Sequence, residues 1–93
     1  MATTVEDNRA RSRFEVLVDG ELGGFATYRQ REDVVFVTHS EVDPRFRGRG
    51  VGAELARQTL DLLRERGSRV VPACPFFAEY VQKHPEYDDI LEN

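Results

Sequence analysis

Two periodicities in succession predict an α+β fold. Apolar residues alternate over the first half of the 93-residue chain and recur at helical spacing in two stretches of the second half. A glycine-rich turn, Arg47-Gly48-Arg49-Gly50-Val51-Gly52, stands between the two regimes. The expected order is an antiparallel three-strand meander, a crossover helix, a fourth strand returning in parallel, and a C-terminal helix.

The first 12 residues are mostly polar, with Val5 as the sizeable apolar residue after Met1, and read as a flexible N-terminal tail ahead of one domain over residues 13–93. From Phe14 to Val18, Phe14, Val16 and Val18 face one way, and Asp19-Gly20 supplies a tight hairpin turn. Glu21 to Arg31 forms the second strand, with a bulge at Gly23-Gly24 and Phe25 and Thr27 on one face. The third, Val34 to Val42, begins with the apolar run Val34-Val35-Phe36-Val37, suited to a central strand covered on both faces. It ends in the polar stretch Thr38-His39-Ser40-Glu41, which marks the strand end as a place for a site.

Proline at position 44 closes that strand. Gly52, Leu55, Ala56, Thr59, Leu60 and Leu63 then recur at helical spacing up to a stop at Gly67. Arg69 to Cys74 is the fourth strand, which Pro72 assigns to a sheet edge or to a strand splayed from its neighbour. Pro75 opens a helix over Phe76 to Lys83 that His84-Pro85 ends, and Tyr87, Ile90 and Leu91 of the acidic tail, Glu86 to Asn93, can pack back.

Composition narrows the function classes. With 13 basic and 17 acidic residues the net charge is -4, which argues against a nucleic-acid partner. Six arginines nevertheless cluster between Arg45 and Gly67, which suits a small anion held at one place. One cysteine, Cys74, excludes an intrachain disulfide and paired-cysteine metal sites and suits a reducing, cytoplasmic setting. No apolar run is long enough to span a membrane. No metal site is expected.

The loop is where a site is most readable. Three glycines within five positions let the backbone approach a ligand closely, and first-turn amides lack intrahelical acceptors. Together with the helix dipole they make an anion site, around which Arg45, Arg47 and Arg49 add charge. The lysine of a P-loop and the second strand-helix-strand unit of a dinucleotide fold are both missing.

Arg47-Gly48-Arg49-Gly50-Val51-Gly52, between a strand and a helix, resembles the acetyl-CoA signature of the GNAT N-acetyltransferase superfamily. Thr38 to Val42, Val71 to Phe76 and His84 to Tyr87 resemble its very short stand-alone members. The resemblance implies a minimal GNAT-like domain with acetyl-CoA as cofactor. Val42, Arg47, Gly48, Arg49, Gly50, Val51 and Gly52 would hold it, its pantetheine arm pairing with the third strand like an added strand. A splayed fourth strand would admit the thioester.

The implied reaction moves an acetyl group to a primary amine of a small molecule or peptide, directly or through Cys74. Histidine exchanges protons near neutral pH, so His39 is the first candidate base and Glu41 the second. Cys74 can protonate the departing thiolate or carry the acetyl group itself. The superfamily's tyrosine acid falls at Val81, with Tyr80 one step away. That departure leaves a non-catalytic coenzyme-binding or sensing module as the alternative. A chain this short also implies an acceptor groove left open or completed by a partner subunit, as in a homodimer.

Overall fold

In the computed structural model, which describes residues 1–92, the alternating segments pair into one five-stranded sheet. Its order is β1 (Thr3–Asn8), β2 (Arg13–Val18), β3 (Glu21–Arg31), β4 (Val34–Val42) and β5 (Arg69–Pro72). Neighbours are antiparallel except β4 and β5, which run parallel because α1 (Val51–Glu65) crosses over between them. α2 (Pro75–Lys83) follows β5, and both helices pack on one face of the sheet. Asn93, the last residue of the acidic tail, lies outside the described residues.

The N-terminal segment departs from the expected tail. Thr3–Asn8 is an edge strand paired along its length with β2. Backbone pairing is indifferent to side-chain polarity, and the polar side chains here find distant partners that local periodicity does not reveal. The Gln58 amide of α1 accepts from the Val5 N–H (3.1 Å) and donates to the Thr3 carbonyl (3.0 Å), so a side chain occupies the free edge of β1. Asp7, its side chain only 6% exposed, accepts from Tyr28 Oη (2.7 Å) and Arg66 (2.8 Å).

The core lies between the sheet and the helices. Phe14, Val16 and Val18 of β2, Ala26 of β3, Val35 and Val37 of β4 and Val70 of β5 meet Leu55, Leu60 and Leu63 of α1 and Phe77 of α2. Alternate residues on the other face, among them Phe25 and Phe36, are only half-buried. The central strand β4 is therefore covered on one face, contrary to the expectation from its apolar run. No helix is long and apolar enough to cross a membrane among the described residues.

Two irregularities in the sheet position everything that follows. Val16 pairs with Gly24 but Leu17 with Leu22, so Gly23 is the extra residue of a bulge. Thr27 pairs with His39 but Tyr28 with Val37, so Thr38 is the extra residue of another. The second bulge inverts the phase of β4, and beyond it Ser40 and Val42 turn toward the helices while His39 and Glu41 face away.

Pairing between β4 and β5 then stops at Val37 and Pro72. The amides of Ala73 and Cys74 both donate to the Val37 carbonyl at 2.9 Å before the chain turns into α2. Among the described residues, Thr38 to Val42 keeps β3 on one side and has no strand on the other. The outer edge of β5 is covered, since Leu91 bridges Val70 and the Glu92 amide donates to the Val70 carbonyl (2.9 Å).

Candidate active site

The loop ahead of α1 has the backbone its glycines suggested. Gly48 and Gly50 sit at φ 79° and 78°, left-handed angles that oppose a β-carbon, and Gly50 caps the helix without any side-chain hydrogen bond. The Glu54 amide donates to the Gly50 carbonyl (3.1 Å). The amides of Val51, Gly52 and Ala53 reach no carbonyl among the described residues. They form a cluster of donors at the positive end of a 15-residue helix.

Of the six clustered arginines, four are committed elsewhere. Arg57 binds Glu54 and Asp61, Arg64 binds Asp89, and Arg66 binds Asp7. Arg45, expected to add charge to the loop, instead folds back on Asp43 and Glu21, both at 3.2 Å. The Arg45 amide and guanidinium hold the Asp43 carboxyl below its ordinary pKa. Arg47 and Arg49 remain without an ion-pair partner among the described residues.

Glu54, an acid in the first turn of α1, is drawn away from the loop. Arg57 donates to it at 2.7 Å, Gln58 at 3.0 Å and Thr3 at 3.2 Å. These partners, Arg57 foremost and then Gln58, hold its pKa at about 2.

A slot of about 170 Å³ runs from the loop along the unpaired edge of β4, lined by Ser40, Glu41, Val42, Gly52, Leu55 and Phe76. Gly52 keeps it open, because a β-carbon there would stand 3.1 Å from the Phe76 ring and 3.5 Å from Val42. Phe76 belongs also to a groove between the helices that contains Tyr80 and His84, stacked with centroids 3.9 Å apart. Burial raises the Tyr80 pKa. Val81 is a core residue, 6% exposed.

The candidate catalytic residues form two pairs on opposite faces of β4. His39 Nε2 lies 3.0 Å from Glu41 Oε2, both side chains about three-fifths exposed on the open face. On the helix side, Ser40 Oγ lies 3.3 Å from Cys74 Sγ, which also accepts from the Phe77 amide (3.5 Å) as the N-cap of α2. Cys74 is 1% exposed, and Ser40 stands between it and the slot. His39 and Cys74 therefore do not meet.

Sequence reasoning passed over Ser40. Alternation alone separates Ser40 from His39 and Glu41, but the bulge at Thr38 decides which of them turns inward. The polar run was the available signal; a bulge without glycine left none. No cluster of metal-ligating side chains occurs among the described residues.

Streptothricin acetyltransferase of Streptomyces lavendulae is 38% identical over 65 residues, covering 68% of this chain but only 34% of that protein. Protein NATD1 of Mus musculus is 29% identical over 83 residues, 87% of this chain and 76% of that one. A GCN5-like protein from Staphylococcus aureus shares the fold at a TM-score of 0.72 and 20% identity, over 97% of this chain and 88% of that one. Ard1 of Thermoplasma volcanium aligns at a TM-score of 0.55 with 30% identity, over 67% of this chain and 43% of its own. The family model for GCN5-related N-acetyl-transferases matches residues 13–90, the span that carries the bulged strand, the glycine loop and Cys74, and the chain belongs to that family.

Proposed function

We propose that the chain binds acetyl-CoA along the glycine loop and the slot, and transfers its acetyl group to a primary amine. The observation that carries this reading is the conjunction of a cluster of unpartnered amides with the one stretch of β4 that lacks a neighbouring strand. Amides of Val51 and Gly52, with Arg47 and Arg49, suit a pyrophosphate. Backbone groups of Val42 point to the unpaired edge, since the next amide along, that of Asp43, donates to Gly23 on the β3 side, and they are free to pair with the amides of a pantetheine arm, as an added strand would. Gly52 and Phe76 set the width of the passage.

The two pairs on β4 divide the chemistry by face. An amine arriving on the open face meets His39, held by Glu41, which takes its proton as the nitrogen attacks the thioester carbonyl. The new N–C bond forms, the C–S bond breaks, and the departing thiolate is left on the slot side. Ser40, hydrogen-bonded to Cys74, is the hydroxyl placed to protonate it, with Cys74 as the donor behind. Direct attack is favoured over an acetylated Cys74 because the thiol is buried behind Ser40.

Titration calorimetry with acetyl-CoA and measurement of thiol release with an amine panel test the reading. His39→Gln should lower kcat on the order of 10²-fold with little change in coenzyme affinity. Cys74→Ala should slow transfer without abolishing it, and no acetyl label should remain on the protein after quenching. Absence of acetyl-CoA binding would sink the proposal, and a labelled Cys74 would replace direct attack with the two-step route.

A further inference from the structure

The open face of the sheet carries a broad concavity of about 990 Å³ that the coenzyme reading leaves unused. One end is formed by Thr38 and Ala73, the residues at which β4 and β5 part. Its floor contains the half-buried ring of Phe36. Arg29 and Arg31 line it further along β3, both exposed and neither with an ion-pair partner among the described residues.

No acidic residue is among those that line the concavity. Glu15 on β2 is bound by Arg13 at 2.7 Å and by Asn8 at 3.2 Å. Glu41 is engaged with His39, and Glu32 and Asp33 belong to the hairpin turn past the end of β3. In a protein whose net charge is -4, two arginines beside an apolar floor, opening onto the parted strands, give this concavity a lining whose only charged side chains are basic.

We infer that this concavity is the acceptor site and that it selects peptide amines flanked by carboxylates. The inference rests on the acetyl-transfer reading above and adds the chemistry of the acceptor. Arg29 faces Phe36 and Arg31 faces Val34 across β3 and β4. At about 3.3 Å of rise per residue, the backbone positions of Arg29 and Arg31 lie roughly 7 and 13 Å along the strand from the row of Thr27. An extended peptide with its amine at His39 brings side chains to the same spacing, two and four residues from the amine. Guanidinium groups pair with carboxylates through directional, charge-assisted hydrogen bonds.

Two pentapeptides with free α-amines test this, one with glutamate and one with lysine at positions three and five. The glutamate peptide should be acetylated with kcat/KM at least tenfold higher, and the preference should weaken as salt rises. Replacing both arginines, Arg29→Gln with Arg31→Gln, should remove the preference through KM and leave acetyl-CoA affinity unchanged. Lys83→Gln, an exposed cation on α2, should leave the preference intact, and circular dichroism checks that each variant folds. Fluorescence anisotropy of labelled versions of both peptides reads binding without turnover.

Equal use and equal binding of the two peptides, or a preference that survives the double substitution, would overturn the inference. Failure of acetyl-CoA to bind would instead remove the proposed function, and the anisotropy arm would still decide whether this face takes acidic peptides. Acidic-peptide binding that the double substitution leaves unchanged would place the peptide elsewhere.

Discussion

The two faces of one sheet are built from alternate residues of the same strands, yet they do different work. The helix-covered face buries Phe14, Val16, Val35 and Val37 completely or nearly so, and is sealed by α1 and α2. The open face leaves Phe25 and Phe36 half-buried among charged side chains and carries the His39–Glu41 pair. The difference teaches that stability is concentrated on one side, leaving the other free to be polar and accessible. β4 joins the two, because the Thr38 bulge hands Ser40 to one face and His39 to the other.

The sharpest way to break this contrast is to cut apolar volume from each face. Leu60→Ala, at a fully buried position, should cost about 2–5 kcal/mol in urea denaturation. Phe36→Ala on the open face should cost much less, and equal losses would mean that the open face is a second core.

Next in size are changes at the loop. Under the coenzyme proposal, Arg47→Gln and Arg49→Gln each forgo a charge-assisted contact worth about 1.5–3 kcal/mol, so each should raise the acetyl-CoA dissociation constant at least tenfold by calorimetry. Gly50→Ala forces a β-carbon to φ 78° at about 1–2 kcal/mol and should weaken the coenzyme as well. Gly67→Ala, at φ 71° beyond the other end of α1, should cost similar stability and leave the coenzyme affinity alone.

A smaller effect lies in acid. The folded-state pKa of Glu54, about 2, is below its ordinary value of 4.5, so its contribution is complete above pH 4.5. It is lost as pH falls toward 2, because the unfolded chain takes up the proton first. Glu54→Gln should flatten the stability curve over that window and leave its slope above pH 5 unchanged. Smallest of all is Arg45→Gln. The side chain is already occupied by Asp43 and Glu21, so coenzyme affinity should stay within about twofold while Arg47→Gln lowers it.

Much of the fold was legible because its signals are local. Alternation over Phe14 to Val18, the spacing of Leu55, Ala56, Thr59, Leu60 and Leu63, the proline that opens α2 and the glycine that ends α1 each act through backbone geometry within a few residues. The edge position of β5 follows in the same way from Pro72, which has no amide to donate. The glycine loop was legible for that reason too, since Gly48 and Gly50 need angles other residues resist. β1 was not, because its polar residues are satisfied by Gln58, Arg66 and Tyr28, all more than 20 positions away.

The amino-acid sequence by itself determined the order of the elements from β2 onward and the backbone of the glycine loop, since both depend on intrinsic conformational preference and on apolar period. Only the tertiary structure decided which side chains share a face and which charges remain free. A bulge at Thr38, with no glycine to announce it, inverted half of β4 and separated His39 from Cys74. Ion pairs across the fold took Arg45, Arg64 and Arg66 out of the arginine cluster, pairs within α1 took Arg57, and Arg47 and Arg49 were left in the loop. Pairing and phase are properties of the assembled sheet, and no window of sequence contains them.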